Sequence, residues 1–385
     1  MKNKFSHNKK KSPSLRQDHR DSIEVNGKAS VETYKILVVQ QKMIGDVLTS
    51  SILLEVLRVE YPNAQLDYLI NSHTYPVVEN STYVNNFIFY TKEVEQNKSA
   101  FIKLAKSIRR TNYDVIIDVY SKLSSNIICL FSGAKTKISY HKSYTSFIYH
   151  HTVRRQTNSK KASLAIVNRM QLLEPLGIKP NDFPKPKIHL TKEEKIKTKQ
   201  FLKSNGINLD KPIFMISVLG SMQIKTYPFE FMAKVIDQIV TNTNGQILFN
   251  YIPNQIKEVE AIYKLCKPET HKQLYIEVYG KSLREFLAIT HYCTALIGNE
   301  GGATNMAKAL DIPTFTIFSP WINKETWNQF DNDVSNVSVH LEDYHPEFYK
   351  NIQEHKELKN NSLKLYQKFE PELFQKKLKT YLEQF

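Results

Sequence analysis

From residue 34 onward, short apolar runs rich in β-branched residues alternate with longer stretches whose apolar positions recur at helical spacing. "YKILVV" (34–39) leads into a segment with Ile52, Leu53, Val56 and Leu57 on one face, and "AQLDYLI" (64–70) follows. "NFIFY", a helical stretch near 98–110, "YDVIIDV" (113–119), the helical "SSNIICLFS", "KTKISY" (135–140) and a helix from about 160 to 176 continue the pattern. Strands that alternate with helices predict a parallel sheet covered on both faces. The Pro-rich, charged "IKPNDFPKPKIHLTKEEK" (178–195) breaks the rhythm, as a linker would. It restarts with predicted strands at 212–218, 245–251, 273–280, 294–299 and 313–319, separated by helices at 228–241, 254–266, 282–292 and 303–310.

The expected organisation is α/β throughout. A disordered basic arm (1–33) precedes an N-terminal Rossmann-like domain (34–180), a linker (181–195), a C-terminal Rossmann-like domain (196–345) and a helical tail (346–385). Leu365, Phe369 and Leu373 give that tail an apolar face with which to pack across a domain surface. Two doubly wound halves facing each other leave a central cleft at the carboxyl ends of their strands, where open α/β sheets bind ligands.

Composition narrows the class. With 41% hydrophobic and 24% charged residues the chain is an ordinary globular protein. No window approaches the roughly 18 consecutive apolar residues of a membrane span. The first twenty residues lack the apolar core of a secretory signal, so a cytoplasmic protein is expected. Cys129, Cys266 and Cys293 lie far apart in apolar contexts, as reduced core thiols do. There is no CxxC or HExxH, and His150-His151 cannot aim both rings at one ion from a regular strand or helix, so no metal is expected. The net charge of +15 suits a nucleic acid, an anionic membrane surface or a phosphorylated substrate. No RNP-type or helix-turn-helix pattern accompanies it, so nucleic acid is not the expected partner.

Three turns carry candidate chemistry. In "LIGNEGGATNMAKALDIPTFTIFSP" (296–320) a buried strand runs into Glu300-Gly301-Gly302 and a helix begins at once. Glycines admit a ligand close to the backbone, and the free N–H groups of the helix's first turn attract a diphosphate. Taken alone, the pair marks no more than a tight turn. "SVLGSMQIKTYPFEFMAKVI" (217–236) leaves a strand by a polar loop in which Ser217, Gly220, Ser221 and Lys225 can face the same phosphates. In "QQKMIGDVL" (40–48), Gly45 and Asp46 stand at a strand-to-helix turn, where an acidic residue is by default a helix N-terminal group. Asp331-Asn332-Asp333 repeats the DxD spacing of metal-binding transferases but falls in a polar stretch, and is expected to be a solvated loop.

In their order along the chain, these three segments resemble glycosyltransferase family 9, the lipopolysaccharide heptosyltransferase type, over about residues 34–345. The resemblance implies a GT-B fold, with the acceptor held mainly by the first domain, the nucleotide-sugar donor mainly by the second, and no metal. It implies Asp46 as catalytic base, Lys225 on the donor phosphates, and Glu300, Gly301 and Gly302 at the donor sugar and diphosphate. Glu300 replaces the family's usual Asp, Gly301 its Ser or Thr, and Asn305 its common His. Asn254 or Gln255 would correspond to the ribose-binding position. An ADP-linked heptose would be the co-substrate, and an anionic glycolipid or cell-envelope glycan the acceptor.

For the acceptor side, residues 134–163 concentrate Lys135, Lys137, His141, Lys142, Arg154, Arg155, Lys160 and Lys161. Paired arginines suit phosphates or carboxylates, and Gly45 would let the acceptor approach. The same basic run, with the arm, could hold the protein at the inner face of the cytoplasmic membrane, or it could be a solvated loop. Two other functions stay open: a nucleotide-sugar epimerase or hydrolase on the same architecture, and a basic nucleic-acid-binding protein.

Overall fold

The computed structural model describes residues 33–159, 162–179, 182–350 and 355–385. The expected arm, apart from Thr33, lies outside them, as do Lys160 and Lys161. Two parallel sheets form two lobes. In the first, β1 (Lys35–Val39), β2 (Gln65–Asn71), β3 (Asn86–Tyr90), β4 (Val115–Asp118), β5 (Thr136–Tyr140) and β6 (His151–Val153) lie in the order β3-β2-β1-β4-β5-β6. In the second, β7 (Ile213–Ser217), β8 (Gln246–Phe249), β9 (Ala295–Asn299), β10 (Thr314–Ile317) and β11 (Asn336–Val339) lie in the order β11-β10-β9-β7-β8. Every strand pair is parallel.

The central strands are continuous apolar runs because both of their faces are covered. On β1, Ile36 and Val38 join the core facing the second lobe, while Leu37 and Val39 pack into the core on the sheet's other side. On β7, Ile213 and Met215 enter that same shared core, and Phe214 and Ile216 turn to the far side. One apolar cluster therefore runs from Leu48 and Leu57 of the first lobe to Leu287, Met306 and Ala307 of the second. Polar links reinforce it. Arg284 donates to Pro76 O and His189 O, each at 2.9 Å, and forks onto Glu194, while Gln329 Nε2 reaches Thr49 Oγ1 at 3.2 Å.

Several elements depart from expectation. Residues 273–280 form no strand: Leu274 makes one bridge to Ile247, then Val278 N–H turns back onto Tyr275 O. Tyr275 and Val278 pack into the shared core with Leu287, and Leu274, Ile276 and Tyr279 into the second lobe's far-side core, so these apolar residues are buried or half-buried without a ladder. The second sheet gains instead β11, whose Asn336 is satisfied by Thr314 Oγ1 and Phe330 O, and the first sheet gains β6, which lies inside the basic run. The helix expected from 160 is shorter, Leu164–Met170, and continues as the 3₁₀ turn Gln171–Leu176. Helix Lys192–Ser204 starts inside the expected linker, where Thr191 and Glu194 cap each other's backbone N–H. In the tail, Tyr366, Phe369, Phe374, Leu378 and Tyr381 are part of the second lobe's own core, around Tyr227.

Candidate active site

In each sheet the strand order reverses beside the first strand of the lobe, between β1 and β4 and between β7 and β9. Such switch points open a crevice at the carboxyl ends of the strands. The candidate residues follow these strands: Gly45 and Asp46 after β1; Ser217, Gly220, Ser221 and Lys225 at or after β7; Glu300, Gly301, Gly302 and Asn305 after β9. All of them, with Gln255, line one cavity of about 570 Å³.

The second-lobe wall is built by backbone constraints. Asn299, buried at the end of β9, donates to Ser217 O (2.8 Å) and Val218 O (3.0 Å) and accepts Tyr227 N–H (2.7 Å), stitching the loop after β7 to the neighbouring strand. At Gly220 a Cβ would stand 2.2 Å from Lys225 O, so only glycine lets the loop close and turn Lys225 inward. Gly301 has φ 151°, a conformation L-residues rarely adopt, and nothing lies within 4 Å of where its Cβ would be. The Gly302–Ala309 helix starts here.

Lys225 Nζ lies 3.0 Å from Glu300 Oε1, an ion pair off the line of a hydrogen bond, and 5.4 Å from the Trp321 ring centre. Thr316 Oγ1, buried on the same wall, has no hydrogen-bond partner. Lys308, also lining the cavity, donates to Gln329 O, and burial pushes its ammonium down to about 8.

Asp46 is the third residue of helix Ile44–Ser50, and its Oδ2 lies 3.4 Å from Met43 N, a weak version of the capping role. Its Oδ1 is held by Arg169 Nη2 at 2.6 Å. Arg169 is buried and anchored by Ser50 Oγ (2.8 Å) and Ala165 O (2.7 Å), so the carboxylate is oriented by a side chain that is itself fixed. A second cavity, about 290 Å³, opens on the first-lobe side of Asp46. Its basic residues are Lys42, paired with Glu95; Lys122; Arg155, over the Tyr140 ring at 3.8 Å; and Arg169. Trp327 from the second lobe lines both cavities, as Asp46 does.

Other expected residues lie apart. Arg154 and Asn254 are exposed and line neither cavity. Lys142 donates to Ser121 O, and its ammonium is shifted down by burial, with Lys122 and Arg155 adding to the effect. A Cβ on Gly45 would meet Asn305 Nδ2 at 3.8 Å, so this glycine faces the other lobe. The Asp331-Asn332-Asp333 stretch is not simply solvated. Asp331 is half-buried and accepts from Asn328 and Ser338, and Asp333 pairs with Lys377 at 3.0 Å. Among the described residues no three His, Cys, Asp or Glu side chains are placed to hold a metal ion.

Arg169, Trp327, Lys308 and Asn299 escape the sequence reading. For Arg169 and Lys308 a signal exists: each is the single charge of its helix, which burial permits only with a partner.

Comparison with known proteins agrees with this architecture. The crystal structure of a family 9 glycosyl transferase from Veillonella parvula superposes with a TM-score of 0.69 at 16% identity, covering 87% of this chain and 97% of that one. E. coli ADP-heptose lps heptosyltransferase II gives a TM-score of 0.67 at 17% identity over 91% and 99%. In sequence, the chain is 24% identical to lipooligosaccharide heptosyltransferase 2 of Haemophilus influenzae, over 74% of this chain and 83% of that protein. It is 21% identical to lipopolysaccharide heptosyltransferase 1 of Campylobacter coli, over 74% and 83%. The profile of glycosyltransferase family 9 (heptosyltransferase) matches residues 101–357, well over half of the chain. With two Rossmann-like lobes about a central cleft, the GT-B fold, this chain belongs to glycosyltransferase family 9.

Proposed function

We propose that the protein is an inverting transferase that moves heptose from ADP-heptose onto a lipopolysaccharide core or a related anionic glycolipid, at the inner face of the cytoplasmic membrane. The observation that carries this reading is the position of Asp46, shared by the two cavities. The larger cavity offers an ammonium and a helix N-terminus to a diphosphate, and the smaller offers basic groups to an anionic acceptor. The names of the Haemophilus, Campylobacter and E. coli relatives, all heptosyltransferases, support the choice of heptose, and the last supports ADP.

In this reading the acceptor hydroxyl gives its proton to Asp46 as its oxygen attacks the anomeric carbon. The bond to the diphosphate breaks on the opposite face, so the configuration inverts. A positioned base contributes about 10²- to 10⁴-fold. Charge gathering on the departing diphosphate is met by Lys225 and by the first N–H groups of the Gly302–Ala309 helix. Gln255 serves the nucleotide side and Arg155 the acceptor side.

The test is to incubate the protein with ADP-heptose and heptose-deficient lipopolysaccharide and to read ADP release and the anomeric configuration of the product. ADP release that depends on acceptor, with inversion, is expected. A changed free sugar with no glycosylated acceptor would establish the epimerase or hydrolase reading instead.

A further inference from the structure

From Val119 to Leu173 the chain contains no Asp or Glu but nine Lys and Arg residues, so this short segment supplies nine of the net fifteen positive charges. The same segment exposes apolar side chains. Leu123, Tyr144 and Phe147 are 75%, 71% and 79% exposed, and among the described large apolar residues only Val59 is as open. They do not sit on a loose loop. Lys142 Nζ donates to Ser121 O just ahead of the Leu123–Phe131 helix, Ser146 Oγ donates to Lys142 O at 2.7 Å, and Tyr149 Oη donates to Asn126 Oδ1 at 2.8 Å on that helix. Loop 141–149 is thus pinned against the start of the helix, with Tyr144 and Phe147 facing outward. Lys122, next to Leu123, also lines the basic cavity beside Asp46, so the patch stands at the rim of that cavity.

We propose that this face of the first lobe docks on an anionic lipid bilayer, with Leu123, Tyr144 and Phe147 entering the headgroup layer and Lys122, Lys142 and Arg154 facing the anionic headgroups. Charge complementarity selects the partner, and the protruding side chains select its kind. Basic residues alone would suit any polyanion, but an aliphatic Leu123 gains nothing from a phosphate backbone and gains burial in a membrane interface. Each basic residue near an anionic surface is worth about fivefold in partitioning. The inference extends the proposed function: an acceptor anchored in the bilayer would present its polar head at the rim of the cavity it must enter.

The test is flotation of the full-length protein with vesicles of about three parts phosphatidylcholine to one of phosphatidylglycerol, against phosphatidylcholine alone. Binding to the anionic vesicles only, weakened by salt, is expected. The combined L123S, Y144S and F147S variant should bind at least about tenfold more weakly with an unchanged melting temperature. F147S alone, the mildest change, should already weaken binding several-fold, and K122E with R154E should do so through charge. Failure of the wild type to bind anionic vesicles, or retained binding by the serine variants, overturns the proposal. So does a duplex DNA complex that depends on these residues while vesicles are ignored. The vesicles hold no acceptor and no sugar moves, so a negative result leaves the transferase reading intact. Absence of transfer by the wild type to a detergent-dispersed acceptor would instead count against that reading.

Discussion

At the scale of single residues, the site depends on charges placed where burial makes them expensive. Asp46 is visible in the sequence as a carboxylate at a turn, but its partner Arg169 is 123 positions away and is identified only by the fold. Replacing Asp46 by Asn keeps the shape and removes the proposed base, so turnover should fall by about 10²- to 10⁴-fold while nucleotide affinity is unchanged. Arg169→Gln should give a smaller loss in steady-state assays, because the carboxylate remains but is no longer held in place. Lys308 makes a different forecast. Its folded value near 8 lies below the ordinary lysine value of 10.5, so the charged form is disfavoured in the folded state at every pH below about 8. As pH rises from there the cost is relieved, and above about pH 10 the unfolded chain loses its proton too. Lys308→Met should therefore be more stable than wild type at pH 7, by up to about 3 kcal/mol, and the advantage should shrink as melts are taken toward pH 10. A constant difference across that range would contradict the burial argument.

At the scale of elements, legibility followed hydrogen-bonding context. β1, β4, β7 and β9 are unbroken apolar runs, and such runs are strands because both faces are covered. The run at 273–280 has similar composition and is not a strand, since the chain turns back on itself at Val278 after a single bridge and pattern alone does not report which backbone groups find partners. β11 failed in the other direction: Asn336 and Ser338 look like loop residues, yet side-chain hydrogen bonds make them admissible in a buried strand. The loop after β7 is the element on which the proposed donor binding rests most. A Cβ at Gly220 meets the Lys225 carbonyl, so Gly220→Ala should cost about 1 to 3 kcal/mol in denaturant unfolding and weaken nucleoside diphosphate binding in calorimetry by tenfold or more. Weakened binding with no loss of stability would mean that the loop can open freely, against the tight closure described here.

At the scale of the whole molecule, two sheets share one apolar cluster and are tied by Arg284 and Gln329, and their switch points open toward each other. Two such lobes were legible from the double rhythm of strands and helices. Which side chains meet in the cleft was legible only where a motif marked them, because Trp327 and Arg169 approach Asp46 through tertiary packing that no local pattern encodes. The central claim is that a nucleoside diphosphate sits in the larger cavity against Lys225 with Asp46 beside it but not binding it. The most direct measurement is thermal unfolding of wild type, Lys225→Met and Asp46→Asn with ADP, GDP, UDP or no nucleotide. ADP should raise the wild-type melting temperature by a few degrees, since saturation at about 100 times Kd adds about 2.7 kcal/mol. The shift should persist in Asp46→Asn and be largely lost in Lys225→Met. If no nucleotide shifts the wild type, or if Lys225→Met responds as fully as wild type, the cavity is not the donor site.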